Sequence, residues 1–207
     1  MLAIDTCGAE GAVALARVKG ERPTVLAQRT LPGRETQERL MSSVKEVLRE
    51  ASLTIADVQL IAIATGPGSF TGVRIGIATA KGFAEALNVP LIAVSRLRML
   101  VHRGGGTSNA WLDAGRGDVY VGEYQDGLCL RERMLTRADA DALGGHIVVG
   151  EELLRDAGEW VGAPIIDDLV HLAATDAAAS KFADTALLDA NYLRIPDAEL
   201  ALKARQP

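Results

Sequence analysis

Three histidines, two cysteines and an aromatic content of 4% leave this 207-residue sequence poor in the residues that most often carry chemistry. His102, His146 and His171 stand alone, with no H-x-x-x-H or H-E-x-x-H spacing, so the common zinc patterns are missing. Cys7 and Cys129 form no C-x-x-C pair and read as ordinary buried thiols in a reducing compartment. There is no G-x-S-x-G elbow and no cysteine near a histidine, which removes the usual sequence signs of a nucleophilic hydrolase. The opening Met1-Leu2-Ala3-Ile4-Asp5 has neither the basic nor the long apolar region of a secretory signal. No apolar run approaches the ~18 residues of a membrane span. A soluble cytoplasmic protein is expected. Positive charge is also lacking: the net charge is −5, whereas stand-alone nucleic-acid binders usually present a basic face. Direct RNA binding by this chain alone is not expected.

What is present is a normal globular balance, 48% hydrophobic and 24% charged. The length suits one domain or two lobes of about 100 residues each. Residues 2–6, 11–18 and 24–31 read as strands, and Pro32-Gly33 breaks the run. Leu40, Val44, Val47, Leu48 and Ala51 fall at helical spacing over 35–51. A buried strand over 60–64 leads into a Gly-Pro-Gly turn, a helix over 71–87, a strand over 90–94, and a short helix through His102 capped by Ser95. Gly104-Gly105-Gly106-Thr107-Ser108 reads as a linker. Beyond it the opening recurs: Asp113 ends an apolar strand before a glycine turn, as Asp5 does 108 positions earlier, and strands over 119–124 and 128–135 follow. This repetition suggests an internal duplication. Two lobes are expected, 1–103 and 107–207, the second poorer in helix: one or two turns over 137–143, a strand over 147–149, an alanine-rich helix over 170–182, and a basic, mobile tail.

The sharpest local feature is Gly66-Pro67-Gly68-Ser69-Phe70-Thr71-Gly72-Val73-Arg74. Its spacing matches neither a Walker A loop nor a dinucleotide fingerprint, and favours a tight turn with an N-cap from Ser69 or Thr71 over an anion site. The helix that follows is apolar around most of its circumference, with Arg74, Lys81 and Glu85 in one narrow stripe. Gly72, Gly76 and Ala80 recur every fourth residue on the other side, flanked by Ile75 and Phe83. Glycine inside a helix costs about 1 kcal/mol relative to alanine, so something must pack closely there, either a partner helix or a neighbour in the same chain. Asp5 and Asp113 are the leading acidic candidates. They could face a metal-phosphate across a cleft, or each could cap its own turn.

The string GPGSFTGVRIG over 66–76, with Leu2-Ala3-Ile4-Asp5-Thr6, closely resembles the TsaB (YeaZ) family. Val94-Ser95, Leu112-Asp113-Ala114, Gly117-Asp118-Val119-Tyr120 and Tyr192-Leu193-Arg194 extend the resemblance over essentially the whole chain. The resemblance implies an α/β fold of two ribonuclease-H-like lobes (the actin, sugar-kinase and Hsp70 type), the second reduced. It implies a subunit without catalysis, cofactor or metal of its own, in the machinery that forms N6-threonylcarbamoyladenosine at position 37 of tRNAs reading codons beginning with A. The implied partners are TsaD, which it would scaffold and activate, and the ATPase TsaE, with a homodimer when alone and tRNA met only through the complex. Docking is implied for the first two helices, here through Leu40, Val44, Val47, Gly72, Arg74, Ile75, Gly76, Thr79, Ala80 and Phe83. Thr36-Gln37-Glu38-Arg39-Leu40 lacks a histidine that many members carry nearby, and Met41-Ser42 stand where a proline is frequent. The competing expectations are an independent ATPase or small-molecule kinase built on Asp5 and Asp113, and a metallopeptidase.

Overall fold

The computed structural model describes residues 1–106 and 108–194. Among the described residues, alternating or fully apolar runs give ten strands: β1 (Leu2–Asp5), β2 (Glu10–Lys19), β3 (Arg22–Pro32), β4 (Ile61–Ala64), β5 (Leu91–Val94), β6 (Asn109–Gly115), β7 (Asp118–Gln125), β8 (Leu128–Thr136), β9 (Ile147–Val149) and β10 (Glu159–Trp160). Five helices join them: α1 (Thr36–Glu50), α2 (Phe70–Leu87), α3 (Arg96–Arg103), α4 (Arg137–Asp141) and α5 (Ile166–Ala178). Strands β1, β4 and β5 are only four residues long and almost wholly buried, as expected where helices cover both faces of a parallel arrangement.

The first sheet has the order β3-β2-β1-β4-β5 and the second the order β10-β9-β6-β7-β8. In each, an antiparallel three-strand meander continues through two parallel strands: β1 pairs β2 antiparallel and β4 parallel, and β6 pairs β7 antiparallel and β9 parallel. This is the ribonuclease-H-like order, present twice, and it gives the repeated Asp-turn pattern its structural meaning. The second unit keeps all five strands, but β9 and β10 shrink to three and two residues and α4 to five.

The closing helix departs from the sequence expectation in position and in role. It starts at Ile166, not 170, because the Ile165 N–H donates to Asp168 Oδ2 (2.8 Å) and the acidic pair Asp167-Asp168 occupies the first turn, where the helix dipole favours it. It stops before Phe182 because Ser180 turns left-handed at φ +56. Leu169, Val170 and Ala173 are fully buried in the core of the first sheet, so α5 belongs by packing to the unit formed by the N-terminal strands. Helix α3 bridges the units: Met99 joins the first core, while Leu97, Leu100 and Val101 join the second. Arg98 clasps Asp176 with both Nη atoms, and Arg103 Nη1 reaches Asp168 (3.2 Å), so α3 and α5 are locked antiparallel by two ion pairs. His102 and His171 stack between them with centroids 6.1 Å apart.

Cys7 is buried, but Cys129 is exposed, a correction to the paired reading. It lies on β8, an edge strand whose first four residues are solvent-exposed. The basic tail expected after Arg194 lies outside the described residues.

Candidate docking face and inter-lobe site

Helix α2 begins where Ser69 caps it, its Oγ accepting from the Gly72 N–H (3.2 Å), as the turn-plus-cap reading requires. It ends at Asn88 in the left-handed conformation. Its glycine notches face inward. A Cβ on Gly72 would stand 2.0 Å from the Thr6 carbonyl oxygen, and one on Gly76 would stand 2.3 Å from Thr6 Oγ1. Thr6 Oγ1 donates to the Gly72 carbonyl (2.6 Å), fastening the helix to the end of β1. The close neighbour is therefore the chain's own strand, which decides the alternative left open by the sequence.

The ten residues assigned to docking divide accordingly. Leu40, Val44 and Val47 of α1 are core residues at 2% exposure or less, and Gly72, Gly76 and Ala80 of α2 are buried against the sheet. Their side chains or Cα faces meet this chain and not solvent, because the wide apolar stripe of each helix is spent on its own sheet. Arg74 is exposed, and Ile75, Thr79 and Phe83 are half-buried. The accessible surface of α2 includes a different small-residue row, Ala78, Gly82 and Ala86, with Thr71 at its head and Arg74 and Glu85 exposed alongside. A Cβ on Gly82 would meet nothing within 4 Å among the described residues. Sequence reasoning missed this row although its i, i+4, i+8 spacing matches that of Gly72, Gly76 and Ala80. Two such rows lie on opposite faces, and spacing alone does not say which one faces the sheet. Helix α1 touches α2, and Gln37, Glu38, Met41, Ser42 and Lys45 of α1 are exposed.

Between the lobes, Asp5 and Asp113 behave alike. Asp5 Oδ1 accepts from the Cys7 N–H (2.8 Å), and Asp113 Oδ1 accepts from the Gly115 N–H (2.9 Å), each two residues ahead. Each caps its own turn. Asp5, buried at 4% exposure, has the guanidinium of Arg96 beside it, Nε to Oδ2 3.9 Å. Arg96 is itself buried, and its Nη1 donates to the Pro67 carbonyl (3.1 Å). Opposite, Glu151 Oε2 accepts from the Asp113 N–H (3.1 Å), and burial pushes the Glu151 carboxyl above its ordinary value. Burial, with Asp5 next in effect, likewise holds the Cys7 thiol far from ionisation. Among the described residues no three His, Cys, Asp or Glu side chains converge as a metal site.

After α5 the chain runs back as a strap over the first unit. The Ala183 N–H donates to the Leu91 carbonyl (2.8 Å) and the Asn191 N–H to the Thr65 carbonyl (2.9 Å). Lys81 Nζ donates to the Leu188 carbonyl (3.1 Å), and Arg74 Nε to the Tyr192 hydroxyl (2.5 Å), so two of the three charged residues in the α2 stripe are engaged by the strap. Glu132 of β8 collects donors from three directions: Ser95 Oγ at the α3 cap (2.6 Å), Tyr124 of β7, and Asn191 of the strap. Arg194 Nη2 closes the strap on the second unit, donating to the carbonyls of Ala114 and Gly115 and to Asp118.

A duplicated ribonuclease-H-like α/β protein with turn-capping aspartates and a strapped, two-faced α2 is the class these features define. An activator of 2-hydroxyisocaproyl-CoA dehydratase from Clostridium difficile shares the fold, with a TM-score of 0.52 at 11% identity over 87% of this chain and 97% of that one. YeaZ from Pseudomonas aeruginosa superposes with a TM-score of 0.73 at 27% identity over 93% of this chain and 98% of that one. The tRNA threonylcarbamoyladenosine biosynthesis protein TsaB of Escherichia coli is 35% identical over 170 residues, 78% of this chain and 69% of that protein. The family described as "TsaD: tRNA N6-adenosine threonylcarbamoyltransferase" matches residues 25–161. The chain belongs to the TsaB (YeaZ) family, as GPGSFTGVRIG indicated.

Proposed function

We propose that this chain is a non-catalytic subunit of the machinery that forms N6-threonylcarbamoyladenosine at position 37 of tRNAs reading codons beginning with A. It works in the cytoplasm and scaffolds and activates a TsaD subunit, with TsaE joining the assembly and tRNA reached only through the complex. The observation that carries the docking part is Gly82. Glycine within a helix costs about 1 kcal/mol relative to alanine, and at position 82 nothing among the described residues uses the space it frees. A second helix lying along Ala78, Gly82 and Ala86 would use it, because small residues at this spacing let backbones approach closely. Arg74, Ile75, Thr79 and Phe83 border that row, and the neighbouring helix α1 exposes Met41 at 47%. The same face serves the homodimer when no TsaD is present.

Membership of the family supports this reading, as does the fact that no helix among the described residues is long and apolar enough to cross a membrane. The independent kinase or ATPase reading has less support: its two aspartates are engaged as turn caps, and Arg96 already sets a cation beside Asp5. Co-expression with the TsaD of the same organism, followed by size-exclusion chromatography, tests the proposal. A 1:1 or higher complex is expected from the wild type and its loss from Ala78→Glu, with the variant still folded by circular dichroism. A complex undisturbed by Ala78→Glu and by Gly82→Glu would overturn the docking face. Modified tRNA made by this chain without TsaD would overturn the non-catalytic role.

A further inference from the structure

The exposed row of α2 is longer than its small residues. Every fourth position from the helix start gives Phe70, Arg74, Ala78, Gly82 and Ala86, and all five are exposed. Arg74 carries a charge that no carboxylate among the described residues neutralises. Its guanidinium lies 3.9 Å over the Phe70 ring, and its Nε donates to the Tyr192 hydroxyl (2.5 Å). A ring face and a neutral hydroxyl orient the group and leave its charge uncompensated. Glu85, three turns further on, is also exposed, and no hydrogen bond or ion pair among the described residues holds its carboxylate. Lys81, one turn before it, is turned to the strap, with Nζ on the Leu188 carbonyl (3.1 Å). Eleven residues make three helical turns and about 20° more, so Arg74 and Glu85 project from one side of the helix, before and after Ala78 and Gly82.

Opposite charges at the two ends of a small-residue row make it complementary to itself when reversed. With Ala78 of one α2 set against Gly82 of an antiparallel second copy, the two-fold axis passes level with residue 80, the midpoint of 78 and 82. The midpoint of 74 and 85 is 79.5, half a residue away, or about 0.75 Å at about 1.5 Å per residue. The alignment that seats the small residues therefore also sets Arg74 of each copy against Glu85 of the other. A parallel two-fold alignment would instead set Arg74 against Arg74. We propose that a second copy of this chain docks antiparallel along the exposed row of α2, with reciprocal Arg74–Glu85 pairs fixing its register. The inference rests on the homodimer face assigned to α2 above and adds the alignment that this face selects. An exposed pair adds little affinity, whereas like charges brought together repel, so close packing holds the copies and the pairs choose how they meet.

Sedimentation equilibrium of the full chain tests it, in reducing buffer so that the exposed Cys129 forms no disulfide. The wild type is expected to form a dimer that weakens with added salt. Arg74→Glu and Glu85→Arg each bring like charges together and should each weaken the dimer at least about tenfold, about 1.4 kcal/mol. An equimolar mixture of the two variants should dimerise to within about threefold of the wild type, because one copy then carries carboxylates where the other carries guanidiniums. A disturbed fold in either variant would not be repaired by mixing. Single variants that dimerise like the wild type, or a mixture no better than its components, overturn the proposed register. A wild type that stays monomeric at about 1 mM overturns the proposal outright and leaves docking to TsaD to its own co-expression test. Dimerisation undisturbed by Ala78→Glu puts the homodimer on another face, overturning this inference and the homodimer part of the reading above together.

Discussion

Gly76 of α2 and Thr6, the residue after β1, are packed so closely that a Cβ at position 76 would stand 2.3 Å from the threonine hydroxyl oxygen. The same helix carries Gly82, where a Cβ would meet nothing within 4 Å among the described residues. The two glycines have the same intrinsic cost and opposite surroundings.

Alanine should therefore act in opposite directions at the two sites. Gly76→Ala must push the helix off β1 and should cost roughly 1–3 kcal/mol, as overpacking does. Gly82→Ala should stabilise the isolated chain by up to about 1 kcal/mol. Urea midpoints for the two variants against the wild type measure both. Equal signs would show that the phase of α2 is wrong.

Removing Glu132 should loosen three elements together. Ser95, Tyr124 and Asn191 all donate to it; Tyr124 is buried and the other two are half-buried, and each lost bond costs about 1 kcal/mol. Glu132→Ala should destabilise by roughly 3 kcal/mol, and Tyr124→Phe by about 1 kcal/mol. Burial and the neighbouring Glu132 carboxylate already raise the Tyr124 pKa, so that phenol stays a donor throughout the working range. Denaturation curves and protease sensitivity of the strap report the effect.

The clasp between α3 and α5 should respond as a buried pair. Asp176 has 4% exposure and receives both Nη groups of Arg98. Asp176→Ala leaves that guanidinium uncompensated, and a loss on the order of 3 kcal/mol is expected. Hydrogen exchange should show α5 opening first, since its hold on the rest of the chain is then mainly apolar.

Stability should depend on pH through two groups of opposite sign. Burial lowers the pKa of His102 below 6.5, so the unfolded chain binds more protons and the His102 contribution is lost as pH falls below that value. Burial raises the Glu151 carboxyl above 4.5, so the folded chain binds more protons there and stability falls as pH rises through that region. Glu151→Gln keeps an oxygen acceptor for the Asp113 N–H and removes the buried charge. It should raise the urea midpoint at pH 8 and leave it nearly unchanged at pH 4. His102→Gln should reduce the loss of stability between pH 8 and pH 5.5.

Local periodicity and turn chemistry were enough to place most elements. The alternations around residues 2–31, the Ser69 and Ser95 caps, and the Asp5 and Asp113 turns all have causes within a few residues of themselves, and the repeat of the Asp-turn pattern announced the duplication. The start of α5 was misread by four residues because its cap is made from the far side, by Asp168 accepting from Ile165. Strand order, the return of α5 to the first core, the strap and the choice between two small-residue rows on α2 had no local signature. They were decided by which faces could be buried together. A helix with apolar or small residues all round states its period, but its rotation is fixed only when Thr6 fills one pair of notches and leaves Gly82 open on the other side.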